Sequence, residues 1–441
     1  MWHAETQLAY NGGQLIRCLE GYNWTHVLRE TDVDLAYQAF LDVLHWHINN
    51  TIPIKKVSMP TKTPSYITPL VKSLLRKKNK CMHKGNLDKA ASLATKISRL
   101  ISEFRSKCLS KVDPSSSKQL RGRSAKNNGI QLSDQPVDID ALNSYFASVT
   151  TDHNYDIEVI RSFLDNNHDM VHNGSRTQLS ASHQPSVMEF EVQRMLERIK
   201  KSSPGTDDLP YWVFQQCSYQ LAPVITHIFN LSLSSGKPPM HWKKAVVTPV
   251  PKVSNPTAFT DLRPISVTPL LSRTLERFIV KNCLLPAIPS TELADQFAFH
   301  PTGSTTAAIV HTLHHVTSML EDNSYVRCIL VDFSKAFDTI NHQILFSKLQ
   351  KLSLQPAIFS WLVNFLTGRT QAVCLNGNVS DFLDINQSII QGSGIGPVLY
   401  ILFASDLHTL SNKNVLTKYA DDTTLISPRP LTSTLPQSST T

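Results

Sequence analysis

Apolar residues recur at helix spacing in several separated stretches of this 441-residue chain. The segment 31–44, TDVDLAYQAFLDVL, begins with capping residues and then places apolar residues three or four positions apart. A longer stripe with the same steps predicts a second helix; its members are Leu87, Ala91, Ala94, Ile97, Ile101, Phe104 and Cys108. Ser186 and Glu189 form a capping box that predicts the start of a third helix.

The pattern divides the chain into four parts. Residues 1–112 are predicted to be helical, and residues 113–185, which are polar and rich in Ser, Asn, Lys and Gly near their start, to be a flexible linker. From 186 to 426 helical and strand-like runs alternate, which indicates an α+β or α/β domain. In the last fifteen residues eleven are Ser, Thr or Pro, so 427–441 is predicted to be a disordered tail.

Charge is distributed unevenly along the chain. Between Lys55 and Lys126 there are nineteen Lys and Arg against three Asp and Glu, a local net charge of +16, so the remaining residues sum to −8. Such a basic segment indicates a polyanionic partner, most often a nucleic acid; a solvated linker is the equally weighted alternative. The basic residues that fall off the long apolar stripe are Lys89, Lys96, Arg99 and Lys107. They form either an RNA-contacting face or the outer face of a bundle helix.

Several classes of protein are disfavoured by what the sequence lacks. No run approaches the ~18 apolar residues of a membrane span. The first ten residues, MWHAETQLAY, do not have the regions of a secretory signal. The seven cysteines are odd in number and include no CxxC pair, which argues against a disulfide framework or a zinc finger. An intracellular location, in the cytoplasm or the nucleus, is therefore predicted.

Two adjacent carboxylates lie in the segment 416–426, LTKYADDTTLI. Strand-like runs flank them, so Asp421 and Asp422 are predicted to occupy an exposed hairpin turn. At ~4 Å and an effective dielectric of ~20 their repulsion is about 4 kcal/mol. A second pair, Asp207 and Asp208 in PGTDDLPYW, predicts only a turn that enters a helix.

A third carboxylate ends another apolar run. Asp332 follows Cys328–Val331, where it could cap the next element or face a site. If the two strands are neighbours in one sheet, Asp332 meets the 421–422 pair, and three carboxylates together require cations. Hard oxygen ligands fit Mg²⁺, and two such ions support an in-line phosphoryl transfer. Asp338 is predicted to be a cap or an ion-pair residue.

Seven segments, in order and spacing, resemble reverse transcriptases, most closely those of non-LTR (LINE-type) retrotransposons. The palm-like motifs are LVDFSKAFDTINHQIL, IQGSGIGPVLYILF and KYADDTTLI. Upstream, KKSSPGTDDLPYWVF, HWKKAVVTPVPK, DLRPISVTPLLSRTLER and QFAFHPTGSTTAAI resemble the entry helix, the fingers motifs and the motif between them. The resemblance covers about 186–426, and more loosely 20–110.

The resemblance implies a right-hand polymerase fold, with fingers and an antiparallel palm sheet, preceded by a helical basic N-terminal region. It implies an RNA-directed DNA polymerase that uses two Mg²⁺ ions, with Mn²⁺ as an alternative, an RNA template, a DNA primer and deoxynucleoside triphosphates. Asp332 and Asp421 would hold both metals, Asp422 would complete the acidic cluster, and the Phe333 carbonyl would assist.

The nucleotide contacts are implied in the same way. Phe337 would exclude a 2′-hydroxyl, and Gln391 and Gly392 would touch the nucleotide and the template. Lys252 and Arg263 would contact the triphosphate, with Lys243 and Lys244 as alternatives. The sequence departs from the family pattern at four positions, which are Ala298, His300, Ile390 and Gly394.

Parts expected from the family are missing at both ends, namely an endonuclease and a thumb, so a truncated chain is expected. A catalytically inactive fragment that at most binds RNA is therefore the alternative function. A template-dependent RNA polymerase is a third possibility, which Phe337 and the LINE-like motifs disfavour.

Overall fold

The computed structural model describes residues 8–52, 69–83, 86–109, 131–132, 135–172, 185–253 and 256–429. The helices are α1 Leu8–Glu20, α2 Thr25–Leu28, α3 Val33–Thr51, α4 Pro69–His83, α5 Leu87–Leu109, α6 Ile139–Val149, α7 Ile157–His172, α8 Glu189–Glu197, α9 Tyr211–Gln216, α10 Ser218–Ser235, α11 Leu270–Ile279, α12 Leu285–Ala287, α13 Thr305–Asp322, α14 His342–Lys351, α15 Pro356–Leu366 and α16 Gly396–Phe403. The strands are β1 Gln131–Leu132, β2 Gln135–Pro136, β3 Lys244–Pro251, β4 Leu262–Val267, β5 Tyr325–Val331, β6 Arg369–Leu375, β7 Asn378–Val379, β8 Leu383–Ile385, β9 Val415–Tyr419 and β10 Asp422–Arg429.

The chain forms two compact units. Residues 1–53 and 130–441 make the larger unit, and residues 54–129 make the smaller one. The mixture of helices, antiparallel strands and one parallel strand pair confirms the α+β class. None of the described helices is long and apolar enough to cross a membrane.

The described part of the smaller unit consists of the helices α4 and α5, which aliphatic side chains hold together. Its core residues and the partly buried ones packed on them are Val71, Leu74, Leu75, Leu93, Ile97 and Leu100. Ile97 is buried as the stripe predicts, but Ala91 is exposed. The buried face of α5 is rotated by about one residue from the predicted stripe. The larger side chains of Leu93 and Leu100 pack in the interface, where they bury more apolar surface than Ala91 would. Lys89, Lys96 and Arg99 are exposed, and the side chain of Lys107 lies outside the described residues.

The helix α3 contributes a buried face to the core of the larger unit. Asp32 caps this helix by accepting hydrogen bonds from the N–H groups of Asp34 and Leu35 at 2.8 and 3.0 Å, which agrees with the predicted start. Tyr37 and Phe40 are fully buried in the same cluster as α10 and α15. The Tyr37 hydroxyl donates to Asp207 at 3.0 Å, and burial raises the pKa of Asp207 to about 6. Asp208 (φ 51°) completes the predicted turn before α9.

Two features between residues 113 and 200 differ from the sequence expectations. The helix α8 begins at Glu189, not at Ser186, and Glu191 accepts from the Met188 N–H at 3.0 Å. The chain enters this helix extended because the Asn230 amide bonds both the N–H and the carbonyl of Val187, at 2.7 and 3.1 Å. The helices α6 and α7 lie within the segment for which composition predicted a linker, since each buries an apolar face.

Two sheets position the segments that carry the motifs. The strands β4, β3, β6 and β7 form one sheet, in which β3 and β6 are parallel and β8 also pairs with β6. The other sheet is antiparallel, with the order β5-β10-β9. In it Thr423 lies opposite both Val331 and Lys418, so the central strand β10 connects the two strands that precede the acidic residues.

Candidate active site

A two-residue turn carries the first acidic residue. Tyr419 pairs with Asp422 across the β9–β10 hairpin, so the turn consists of Ala420 and Asp421. Ala420 has φ 57°, a left-handed conformation that costs a residue with a Cβ about 1–2 kcal/mol. The side chain of Asp421 is only partly exposed, while that of Asp422 is exposed. The predicted hairpin is therefore present and its turn is strained, but the turn holds only Asp421, because Asp422 is already the first paired residue of β10.

Strand pairing brings Asp332 to the same place. Val331 lies opposite Thr423, so Asp332 follows β5 where Asp422 begins β10. Asp332 and Asp421 line one cavity of about 770 Å³. The other predicted residues in its lining are Lys252, Arg263, Phe333, Phe337, Gln391 and Gly392. Asp422 is not in the lining.

The residues that line the cavity fit a magnesium site in which the protein supplies only a few of the ligands. Among the described residues no group of three or more His, Cys, Asp or Glu side chains lies close enough to hold a metal ion. Two aspartates nevertheless face the same cavity, and Mg²⁺ is commonly bound by one or two carboxylates that water and substrate phosphates complete. The donors are hard oxygens, so the cavity suits Mg²⁺ or Mn²⁺ better than a soft metal.

The Phe337 ring is held by a second aromatic ring. It stacks on Tyr400 of α16 with centroids 4.4 Å apart and planes at 21°. Tyr400 is 4% exposed, and burial together with the nearby Asp421 raises its pKa to about 12. Tyr400 therefore stays neutral at physiological pH and supports Phe337 beside the acidic residue. No motif in the sequence indicates this role for Tyr400.

The glycine-rich segment 391–396 packs closely against its neighbours. The Gln391 side chain donates to the Asp338 carboxylate at 2.7 Å, so Asp338 orients this amide instead of capping a helix. Burial raises the pKa of Asp338. Gly392 has φ 119°, and a Cβ there would lie 2.3 Å from the Ser266 carbonyl oxygen, so only glycine fits.

A buried carboxylate holds the other end of this segment. Glu276 of α11 is 0% exposed and accepts from the N–H groups of Gly394 and Ile395 at 2.5 and 3.2 Å. Its second oxygen accepts from the Ser272 hydroxyl at 2.7 Å. Burial raises the pKa of Glu276. A Cβ at position 394 would lie 3.0 Å from the Arg273 carbonyl, which accounts for the small residue there.

The cations differ in how they are placed. Lys252, which follows the end of β3, and Arg263 of the neighbouring β4 both line the cavity. The Lys252 ammonium donates to the Thr260 carbonyl at 2.8 Å. Lys243 and Lys244, the alternatives, are outside that lining. Burial and the nearby Arg369 lower the pKa of Lys243 to about 8. The geometry thus favours Lys252 and Arg263 as the cations that face a ligand.

Residues of α6 that no sequence motif indicates also face the cavity. Tyr145 and Val149 of this helix and Thr150, which follows its last turn, line the cavity. The Lys335 ammonium lies 5.3 Å from the centre of the Tyr145 ring. The Asp138 cap and the buried Leu142 and Phe146 could have revealed the helix, but its place beside the cavity depends on tertiary packing.

Comparison with known proteins identifies the domain that contains these residues. Residues 250–436 match the family described as reverse transcriptase (RNA-dependent DNA polymerase). Over 250 residues the chain is 30% identical to the RNA-directed DNA polymerase from mobile element jockey of Drosophila melanogaster, covering 54% of this chain and 27% of that protein. It is 26% identical over 246 residues to the probable RNA-directed DNA polymerase from transposon X-element of the same species, covering 54% and 27%.

Residues 250–436 are therefore similar to reverse transcriptases, and the relatives that this part of the chain resembles come from non-LTR retrotransposons. A further relative is the retrovirus-related Pol polyprotein from type-1 retrotransposable element R2 of Popillia japonica, 24% identical over 218 residues that cover 48% of this chain and 29% of that one. The chain thus spans between a quarter and a third of the length of these relatives. Apo telomerase from Candida tropicalis aligns at 13% identity over 61% of this chain and 57% of that one, with a TM-score of 0.32, too low for any argument.

The buried Glu276 provides a test of how the glycine-rich segment is held. Replacing it in Glu276→Leu leaves the Gly394 and Ile395 N–H groups without their acceptor, at about 1–3 kcal/mol for each unsatisfied group. We expect the urea midpoint of the larger unit to fall. The exposed Glu321→Leu is the control and should change stability by less than about 0.5 kcal/mol. Equal midpoints for the two variants would contradict the assignment.

Proposed function

We propose that this domain catalyses RNA-directed DNA synthesis, in which a primer 3′-oxygen attacks the α-phosphorus of a deoxynucleoside triphosphate and pyrophosphate leaves. The observation that carries the proposal is the convergence of Asp332 and Asp421 with Phe337, Gln391, Lys252 and Arg263 on one cavity. The match of residues 250–436 to the reverse transcriptase family supports it.

Each residue has a separate part in the proposed reaction. Two Mg²⁺ ions, when bound, would lower the pKa of the attacking hydroxyl and neutralise the leaving oxygens. Asp332 and Asp421 would hold these ions at the cavity, Asp422 would add to the negative potential, and the Phe333 carbonyl would contribute an oxygen. Lys252 and the planar guanidinium of Arg263 bind the triphosphate. Alignment and charge stabilisation account for the acceleration.

Selection of the sugar is assigned to Phe337. Its ring, supported by Tyr400, would lie against the C2′ side of the incoming sugar and leave no room for a hydroxyl. Gln391 and Gly392 would contact the nucleotide and the template. Asp338 orients the Gln391 amide, and the backbone of Gly392 can approach a ligand closely.

Primer extension on a poly(rA)/oligo(dT) template with Mg²⁺ tests the reaction. Asp421→Asn keeps the shape of the side chain and removes its charge, so we expect the rate to fall at least about 10³-fold. Asp384→Asn makes the same change on an exposed strand residue outside the cavity and should leave the rate unaltered. Absence of extension by the unmodified chain, with RNA binding retained, would favour the alternative of a non-catalytic RNA-binding fragment.

The sugar-selecting role of Phe337 predicts a change in specificity. In Phe337→Ala the space for a 2′-hydroxyl opens, so the ratio of ribonucleotide to deoxynucleotide incorporation should rise about tenfold or more. The measurement is the ratio of kcat/KM for the two triphosphates of one base. Phe382→Ala removes an exposed aromatic ring from outside the cavity and should leave this ratio unchanged. A ratio that stays constant in Phe337→Ala would remove the assignment.

We further propose that the basic residues of α5 hold the RNA through its phosphates. The exposure of Lys89 and Lys96, away from the Leu93 and Ile97 interface, supports this role; Arg99 and Lys107 are assigned to the same face. The test measures the association constant for single-stranded RNA at several salt concentrations. In the combined variant Lys89→Ala/Lys96→Ala, the slope of its logarithm against the logarithm of the salt concentration should become less steep by about 0.7 for each lost contact. Lys351→Ala/Lys413→Ala removes two exposed cations elsewhere as the control. Equal slopes would refute the role.

A further inference from the structure

The strained residue of the acidic turn is bound by a buried side-chain amide. Gln296 is 2% exposed, and its Oε1 accepts from the N–H of Ala420 at 3.0 Å. Its Nε2 donates to the carbonyl oxygen of the same residue at 3.5 Å. One amide group therefore bonds both polar backbone groups of Ala420, the residue immediately before Asp421.

Backbone and ionic contacts align the segment around Gln296 with the strand that enters the turn. The Lys418 N–H donates to the Asp295 carbonyl at 2.7 Å, and the Phe297 N–H donates to the Lys418 carbonyl at 2.8 Å. The Lys418 ammonium, 1% exposed, pairs with the Asp295 carboxylate at 2.8 Å. These contacts leave Gln296 directly beside the turn and fix its register with β9.

Gln296 is itself held in place. The Gln296 Oε1 also accepts from the Ala298 N–H at 2.9 Å. The ring nitrogen Nε2 of His300 lies 2.5 Å from the backbone carbonyl oxygen of Gln296. Ala298 and His300 are two of the positions at which the sequence departs from the family pattern, and both contribute to this support. Because the amide is buried, water cannot readily replace it when it is removed.

We propose that Gln296 is a positioning residue that holds Ala420 in its left-handed conformation and thereby aims the Asp421 carboxylate into the cavity. The inference rests on the proposed function, in which Asp421 binds Mg²⁺. The physical reason is that Ala420 adopts φ 57° against the preference of any residue with a Cβ. Without the amide, the turn can relax to other conformations in which Asp421 no longer lines the cavity with Asp332.

The test removes the amide while preserving side-chain length, in Gln296→Met. We expect the Mg²⁺ concentration that gives half-maximal primer extension to rise about tenfold, because the affinity of the site for Mg²⁺ should fall by the same factor. Independently of activity, the Mg²⁺-induced increase in melting temperature should shrink, since stabilisation by a ligand depends on its affinity for the folded state. Hydrogen exchange at the Ala420 and Asp421 amides should accelerate.

A matched control separates positioning from general stability. Asn230 bonds the N–H and the carbonyl of Val187 in the same way, far from the acidic turn in sequence and outside the cavity lining. Asn230→Leu should lower the melting temperature but leave the Mg²⁺ dependence as in the unmodified chain. Glycine accepts positive φ without strain, so Ala420→Gly should partly restore the Mg²⁺ response when added to Gln296→Met.

The outcomes distinguish this inference from the proposed function. An unmodified chain that binds Mg²⁺ but does not extend primers would contradict the function, while the melting and exchange measurements would still test Gln296. An unchanged Mg²⁺ response in Gln296→Met, or an equal loss in Asn230→Leu, would overturn the inference. If Gln296→Met does not fold, Gln296→Asn, whose shorter amide is withdrawn from Ala420, provides the same comparison.

Discussion

The pairing of β10 with both β5 and β9 is the constraint on which the candidate site depends. Thr423 lies opposite Val331 on one side and Lys418 on the other, so a single register places Asp332 and the Ala420–Asp421 turn at the same end of the sheet. A slip of one residue would turn the side chains of β10 to the opposite face and separate the acids from the cavity. The strain at Ala420 shows that the turn is shaped by this placement, and not by its own backbone preference.

Buried polar groups extend that constraint to the glycine-rich segment. Asp338 orients Gln391, and Glu276 accepts from two N–H groups immediately before α16. The helix α16 carries the Tyr400 ring that supports Phe337. Burial raises the pKa of both acids, which indicates how unfavourable their charge would be without these donors. Hydrogen bonds in such surroundings are stronger than in water and leave few alternative arrangements. The cavity is therefore shaped by residues that do not themselves need to touch a substrate.

The two compact units divide the chemistry from the charge. The carboxylates and the cations that line the cavity belong to the larger unit, whereas the exposed Lys89, Lys96 and Arg99 belong to the helix α5 of the smaller unit. Phosphate binding by exposed Lys and Arg needs little geometric accuracy, because it acts through charge and counterion release. Phosphoryl transfer needs accurate alignment, because the reacting atoms must be held in line. This difference agrees with the small aliphatic core of α4 and α5 and the extensive core of the larger unit.

Local signals in the sequence were sufficient for the helix α3, the hairpin that carries Asp421, the resemblance to reverse transcriptases and several of the residues that line the cavity, such as Asp332, Phe337 and Gln391. These depend on spacing, turn chemistry and residue type, which short segments carry by themselves. The start of α8, the buried face of α5, the place of α6 and the roles of Glu276, Asp338, Tyr400 and Gln296 were decided by the tertiary structure. Each depends on a partner distant in sequence, such as Asn230 for Val187 or Ala420 for Gln296. A buried polar side chain is identified by the group that satisfies it, and only the folded chain brings the two together.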